Sequence, residues 1–536
     1  MIHQHPARWM GLWLAQGLLL SLCAYPYLSH VVFSDDDGHI LQLAIEAPYL
    51  GAYYMSEVYQ QLSVVHYTPV VLTIYRLMFE LFGVTATPFL ILQIGLLGLC
   101  AALAGAWCHR HTQQVSAGLM AILLIASLSS VWPMAARFYT LHYGLGALFS
   151  LLLLLHLQNK PHSTAVQQTL ALATSFVLAL LALLSKEIYA PLVLALWGWA
   201  AFRKHRPQAI GLLLAMLVYA GLRLHVLGFS TEGRAGNSLL ADLQSLQAGT
   251  LVDFAKWYVQ THALLLLATV LALVLRPLQT LKNILIACLL VLPVLAAPHA
   301  IKAPTLHADR LFFAFDLAMC CAVALAMHTK AAAPHWPKWV LLLALPWGVF
   351  STHAAMQTKQ QQLTNDPSQK ITRQILNAQA LQPLTILTWP DYQQGGLMRL
   401  KARQGMPLRI TQNCQEALLA QSQGQEIWRF DRQGQRLDPL TLSEGCQPLL
   451  GHGPEPVTEI IHPSFIKGVL QWQLQASPAL QIGIQFPDRG MTVTASHLRE
   501  RLVRPRNGEP YRLYAHQGTQ WWFSDLRIML VSDSAQ

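Results

Sequence analysis

Directly after an apolar run that ends at Phe33, the chain reads Ser34-Asp35-Asp36-Asp37-Gly38-His39. Adjacent like charges raise one another's pKa, and the edge of an apolar layer is a costly place for them. A bound cation, a basic substrate group or proton transfer would justify the triplet; a solvated acidic loop is the alternative. Ser185-Lys186-Glu187 is a second such set, lying between two apolar runs with almost no connecting residues. There the two charges either pair structurally or work, Lys186 meeting a phosphate or an acidic partner and Glu187 orienting it. A third stretch, Pro298 to Arg310, carries His299, Lys302, His307, Asp309 and Arg310. A guanidinium suits a pair of phosphate oxygens, and an Arg at the end of an apolar run also serves as a snorkelling anchor. His66, in His66-Tyr67-Thr68-Pro69, is either an interfacial histidine bonded to its surroundings or a group that binds acceptor or donor phosphate.

These residues are set in a chain of 536 residues, 54% hydrophobic and only 12% charged, which excludes an ordinary soluble domain. Apolar runs over 10–33, 88–107, 116–131, 141–157, 170–184, 188–202, 210–227, 257–275, 284–297, 311–327 and 339–352 predict about eleven transmembrane helices. Lys and Arg gather in alternate connections: Arg110, Lys160, Arg203 to Arg206, Arg276 to Lys282, and Lys330 to Lys338. By the positive-inside rule those loops and the N-terminus are cytoplasmic. The acidic triplet, Lys186, Arg310 and everything after residue 353 then share the opposite, outer side. The net charge of +10 agrees with loops facing anionic lipid. Nucleic acid is not an expected partner, because no basic block is interleaved with exposed aromatics.

Residues 34–87 form the largest outer connection between spans. Ile40, Leu43, Ala44 and Ala47 recur at helical spacing, so an amphipathic helix starting near Ile40 is expected. Tyr67 to Phe82 is apolar except for Thr73, Arg76 and Glu80, which share one face. At 1.5 Å per residue it reaches only about 22 Å, short of a crossing. It reads as an interfacial or re-entrant helix with Arg76 and its neighbours turned toward a site. After residue 353 the composition turns polar for about 180 residues, enough for one domain. A polar helix or linker over 356–380 is followed by strand-like segments between Gly, Pro and Asp turns. The division is therefore a membrane domain over 1–353 and a mixed α/β, strand-rich periplasmic domain over 354–536. Cys414 and Cys446 are the two cysteines of that tail, and an oxidising compartment would favour their disulfide.

Four segments occur in a suggestive order: Asp35-Asp36-Asp37 after one span; His66-Tyr67-Thr68-Pro69 through Leu81-Phe82-Gly83; Leu183-Leu184-Ser185-Lys186-Glu187 with Pro191; and Asp309-Arg310-Leu311-Phe312-Phe313 before a late span. Together they resemble the GT-C superfamily of membrane glycosyltransferases, especially bacterial relatives of the protein O-mannosyltransferases and of the transmembrane tetratricopeptide O-mannosyltransferases. The resemblance covers roughly residues 10 to 330. Phe312 and Phe313 replace the family's tyrosines, and no tetratricopeptide repeat follows. The resemblance implies a polyprenyl-phosphate sugar as donor, a periplasmic acceptor that is protein, lipid or glycan, and a carboxylate of the first outer loop as general base. On that basis Asp36 is the first choice for the base, with Asp35 or Asp37 orienting it or holding a divalent cation, for which oxygen ligands suit Mg²⁺ or Mn²⁺. Lys186 and Arg310 would contact phosphate, with His66, Arg76, Glu187 and His307 completing the substrate site. A transporter or flippase for a lipid-linked or anionic substrate is the competing reading. It sits less well with charges gathered at one face and no visible internal repeat.

Overall fold

A computed structural model describes residues 6–62, 66–158, 164–228, 248–289, 304–328 and 336–377, then 384–387, 408–411, 417, 424–431, 433–437, 461–466, 469–474, 481–486, 491–494, 510–517, 520–523 and 527–528. The helices are α1 (Pro6–Leu28), α2 (Asp35–Glu46), α3 (Gly51–Tyr54), α4 (Ser56–Leu62), α5 (Pro69–Phe82), α6 (Ala86–Thr112), α7 (Val115–Ala126) and α8 (Leu141–Leu157). They continue with α9 (Ala165–Ser185), α10 (Ala190–Phe202), α11 (Arg206–Leu227), α12 (Ala248–Leu275), α13 (Pro277–Cys288), α14 (Pro304–Met327), α15 (Trp336–Asn365) and α16 (Pro367–Asn377).

Among the described residues, seven stretches are long and apolar enough to cross a membrane: Met10–Leu28, Ala86–Thr112, Phe138–Leu157, Ala165–Ser185, Arg206–Leu227, Gly249–Leu275 and Arg310–Met327. Each coincides with a span expected from the sequence, and the chain is a polytopic helical membrane protein with a strand-rich tail. The expected spans 116–131 and 188–202 emerge as shorter apolar helices, Val115–Ala126 and Glu187–Phe202. The first of these stops early because Ser127 turns its hydroxyl back to Leu124 O at 2.7 Å and a 3-10 turn over Trp132–Ala136 follows. The expected span 339–352 lies inside α15, which runs on through residue 353 to Asn365. Of the expected span 284–297, α13 covers the part up to Cys288, and the residues from 290 on lie outside the described ones.

Small residues let the helices approach. A Cβ on Gly17 of α1 or Gly98 of α6 would collide with the other's carbonyl, and Ser21 donates to both Gly17 O (3.0 Å) and Ile94 O (3.1 Å). Between apolar helices in lipid, such close backbone approach and interhelical hydrogen bonds supply the attraction that water supplies elsewhere. Deeper in the bundle α12 departs from helical geometry at His262 (φ −122°, ψ 17°). There His262 Nε2 lies 2.9 Å from Asp316 Oδ2 of α14 and 3.2 Å from Ser130 Oγ, and Tyr258 donates to Asp316 Oδ1 at 3.0 Å. Both His262 and Asp316 are wholly buried. Serine and aspartate approach the same ring nitrogen, whereas a nucleophile–base–orienter relay uses both. The cluster is a tie between helices.

The first outer connection folds as α2 to α5 around buried tyrosines. Tyr59 donates to Ala52 O (2.8 Å) and Tyr67 to Tyr53 O (2.6 Å). The expected helix near Ile40 is present, but it begins at Asp35, so the acidic triplet is a helical first turn and not a loop. In the tail, strands β1 (Leu384–Leu387), β2 (Leu408–Thr411), β3 (Glu426–Phe430) and β4 (Arg436–Leu437) form a sheet ordered β2-β1-β3-β4. The first three are parallel and β4 is antiparallel to β3, with Ile386 opposite Trp428. The remaining seven strands, between Ile461 and Ile528, make a hairpin and a five-stranded sheet. Cys414 and Cys446, for which a disulfide is expected, lie outside the described residues.

Candidate active site

The triplet's geometry follows from a capping box. Ser34, in extended conformation, caps α2: its Oγ accepts from the Asp37 amide (3.3 Å), and Asp37 Oδ2 accepts from the Ser34 amide (2.9 Å) and hydroxyl (2.6 Å). The same carboxylate's Oδ1 accepts from the Tyr75 hydroxyl (3.0 Å) and the Tyr139 amide (2.6 Å). Four donors thus hold a side chain that is wholly buried. Burial pushes its carboxyl up to about 6, against the downward pull of those hydrogen bonds from Ser34, Tyr75 and Tyr139. Asp36, one residue earlier, is exposed. The side chain of Asp35 lies outside the described residues. The triplet therefore divides into an anchored carboxylate and a solvent-facing one. The spacing Ser34-x-x-Asp37 was the sequence signal for this, an Asp standing where a capping box usually has Glu.

The residues that join the separate motifs sit at the start of α8, in a 3-10 turn over Phe138–Thr140 and the helix's first turn. Tyr139, whose amide binds Asp37, lies within electrostatic reach of Asp36, and its hydroxyl accepts from Arg310 Nη1. The Arg310 guanidinium also lies 5.0 Å from the Tyr139 ring centroid. His142, one helical step further, lies within electrostatic reach of Arg310, Lys186, Glu187 and His66. Tyr143 follows, with Lys186 Nζ 5.5 Å from its ring.

Lys186 is placed by the way α9 ends. Ser185 bonds back to Leu181 O (2.7 Å), Lys186 takes an extended conformation as the C-cap, and Pro191 opens α10 after a 3-10 turn over Glu187–Tyr189. A cation beyond a helix C-terminus is favoured by the helix dipole. Lys186 is 1% exposed, and its Nζ is 3.1 Å from Glu187 Oε1. His66 Nδ1 bonds the same oxygen. Burial alone would raise the Glu187 carboxyl, but Lys186 and His66 together outweigh it and hold the group well below the usual carboxylate range. Glu187 Oε2 is buried with no hydrogen-bond partner among the described residues.

Asp36, Asp37, Lys186, Glu187, His66 and Arg310 are thus brought to one end of the bundle, around α8. Arg76 is differently engaged. It donates to Glu80 Oε1 (3.1 Å) and Ala47 O (2.6 Å) and lies over the Tyr49 ring at 4.0 Å, tying α5 to residues 47–49. The side chain of His307 lies outside the described residues. Tyr139, His142 and Tyr75 are candidate site residues that sequence reasoning missed: Tyr139 and His142, at the start of an apolar run, read as interfacial anchors, and Tyr75, in the middle of α5, reads as core. A divalent cation finds no fit at Asp37, whose two oxygens already accept four donors. Among the described residues no group of three or more His, Cys, Asp or Glu is placed to hold a metal ion.

No protein-family model matches the chain, and no curated protein matches it by sequence. The chain is similar to ArnT from Cupriavidus metallidurans, solved bound to undecaprenyl phosphate. The two share 13% identity over 78% of this chain and 89% of that one, with a TM-score of 0.41. A similarity of that size leaves the chemistry to be read from the side chains. Those side chains offer an exposed carboxylate beside an anchored one, with a buried lysine and an arginine on the neighbouring turns.

Proposed function

We propose that this protein is a membrane glycosyltransferase that moves a sugar from a polyprenyl-phosphate carrier to an acceptor hydroxyl on a protein, lipid or glycan. The observation that carries the reading is the 3-10 turn over Phe138–Thr140 that leads into α8, where Tyr139 binds both Asp37 and Arg310. That turn joins the acidic start of α2 to Arg310, which supports a carboxylate and a cation acting on one substrate.

In this reading Asp36 takes the acceptor's proton as the hydroxyl oxygen attacks the anomeric carbon. The bond from that carbon to the carrier's phosphate oxygen breaks, and the lipid phosphate leaves with its charge held by Lys186 and Arg310. Asp37 fixes the turn that presents Asp36. Glu187 and His66 hold Lys186 in place, and His307 borders the substrate, whereas Arg76, bound to Glu80 and Ala47, braces the outer connection. The protein would sit in a bacterial inner membrane, its N-terminus cytoplasmic and its tail in the periplasm with the acceptor. The intramembrane pair His262–Asp316 is where a transporter reading would start. Its side chains are wholly buried and bonded to one another and to Tyr258, and the pair lies away from the charged residues gathered around α8.

The test is an assay of the purified protein in lipid nanodiscs with labelled polyprenyl-phosphate sugars, undecaprenyl phosphate being one carrier to include. Asp36→Asn is expected to lower transfer by about 10²-fold or more with expression unchanged. Full activity in Asn variants of all three aspartates would remove the catalytic assignment. Movement of the lipid between leaflets without sugar transfer would favour the flippase.

A further inference from the structure

Between the end of α1 at Leu28 and the Ser34 cap, residues 29–33 are neither helix nor strand. This short linker carries Asp36 on its far end, and its inner half is buried: Val31, Val32 and Phe33 are 4%, 8% and 0% exposed. A buried backbone without secondary structure needs hydrogen-bond partners from elsewhere. They come from α16, the first helix beyond the last long one, more than 330 residues along the chain. Gln369 Oε1 accepts from the Val32 amide at 3.1 Å, and Gln369 Nε2 donates to Phe33 O at 3.4 Å. Arg373, one turn further along α16, donates to His30 O at 2.7 Å. Gln369 is itself 5% exposed, so its amide is committed to the linker and not to water.

The same helix is fixed to the strand-rich domain. Gln374 Nε2 donates to Gly434 O at 3.0 Å, in the turn between β3 and β4. Gly434 has φ +76°, and a Cβ there would press on Pro367 O at 2.7 Å. Asp431 braces that turn by accepting from the amides of Gln433 (2.9 Å) and Gln435 (2.8 Å). On the other side of the linker, the Phe33 ring packs against Phe89 and Phe138 at 4.9 and 5.4 Å, next to Tyr139.

We infer that Gln369 is a positioning residue for the acidic turn, and that through α16 the strand-rich tail sets where Asp36 stands. The inference rests on the functional reading above, in which Asp36 is the base. It gives the tail a role in turnover: a shift of the β3–β4 turn is transmitted through Gln374 and Gln369 to the three residues before the Ser34 cap. The reacting geometry then depends on the tail even where no tail residue touches the donor.

The full-length protein in nanodiscs is compared as wild type, Gln369→Met and Gln374→Met. Methionine fills the glutamine's volume without its hydrogen bonds. Amide hydrogen exchange over residues 30–38 is read alongside kcat and the donor KM. In Gln369→Met, exchange at Val32 is expected to accelerate at least about tenfold, and kcat to fall about tenfold or more with the donor KM held, because misplacing a catalytic group slows chemistry without loosening binding elsewhere. In Gln374→Met, which frees α16 from the β3–β4 turn while keeping the Gln369 contacts, exchange at Val32 is expected to rise less than in Gln369→Met and kcat to fall severalfold with the donor KM held; an unchanged kcat there overturns the tail's part in placing Asp36. Unchanged exchange at Val32 in Gln369→Met overturns the clamp, as does unchanged kcat in an otherwise active protein. A wild-type protein that transfers no sugar sinks the functional reading instead, and the exchange comparison alone then decides the clamp. Unaltered exchange in α6 and α8 shows that the variants fold.

Discussion

The amide of Tyr139 donates to the Asp37 carboxylate at 2.6 Å across 102 residues of sequence, while the Tyr139 hydroxyl accepts from Arg310. One residue thus couples the acidic turn to the arginine of a late helix. Asp37 is the anchored member of the triplet and Asp36 the exposed one, which gives the two different consequences on substitution.

Asp37 should leave a pH signature in stability. Burial places its folded carboxyl at about 6 against an ordinary value of 3.8. A raised acid pKa means that the folded protein binds more protons than the unfolded chain between those values. Its stabilising contribution is therefore complete below 3.8 and is lost as pH rises through about 6. Thermal midpoints of the wild type relative to Asp37→Asn should fall from pH 4 to pH 6 and level off above; a parallel pair of curves would contradict this. At pH 7 Asn should still be the less stable, by about 2 kcal/mol, because it offers one oxygen in place of two and leaves buried donors unmatched.

Removing one member of the Lys186–Glu187 pair should cost more than removing both. Glu187→Gln leaves the buried lysine ammonium without its countercharge, a loss on the order of 3 kcal/mol, tempered by the partial exposure of Glu187. Lys186→Met combined with Glu187→Leu should recover most of that thermal stability while transferring no sugar. Equal midpoints for the single and double variants would show that the pair is not coupled.

Arg310→Lys should weaken donor use about tenfold or more, since an ammonium cannot reproduce a planar fork on phosphate and stacks poorly on Tyr139. Tyr139→Phe should be milder, because the amide that binds Asp37 is retained. Steady-state kinetics with varied donor separate the two, and an Arg310→Lys variant with an unchanged kcat/KM would move the phosphate elsewhere.

The His262–Asp316 tie should matter for stability and not for donor recognition. Asp316→Asn is expected to cost about 3 kcal/mol or more, as both partners are wholly buried. Its donor KM should stay at the wild-type value. A large KM change without thermal destabilisation would assign the pair to substrate.

Much of this was legible in the chain itself. Apolar runs fix helices whatever their neighbours, because in lipid every backbone group must be satisfied within its own segment; hence the agreement of seven long helices with expected spans. Lys186, Arg310 and the triplet stood out because charge beside apolar sequence is costly. The start of α2 was misplaced by about five residues, since the hydrophobic period begins at Ile40 while the Ser34 capping box sets the start at Asp35. The sequence by itself thus determined that this is a many-helix membrane protein with acidic and basic residues at helix ends. Only the tertiary structure decided which carboxylate is anchored, that Tyr139 and His142 join the motifs, and that Gln369 of the tail holds the linker before Asp36. The Tyr139–Asp37, Arg310–Tyr139 and Gln369–Val32 hydrogen bonds each join segments more than a hundred residues apart, and no local period or propensity encodes which distant donor meets a given acceptor.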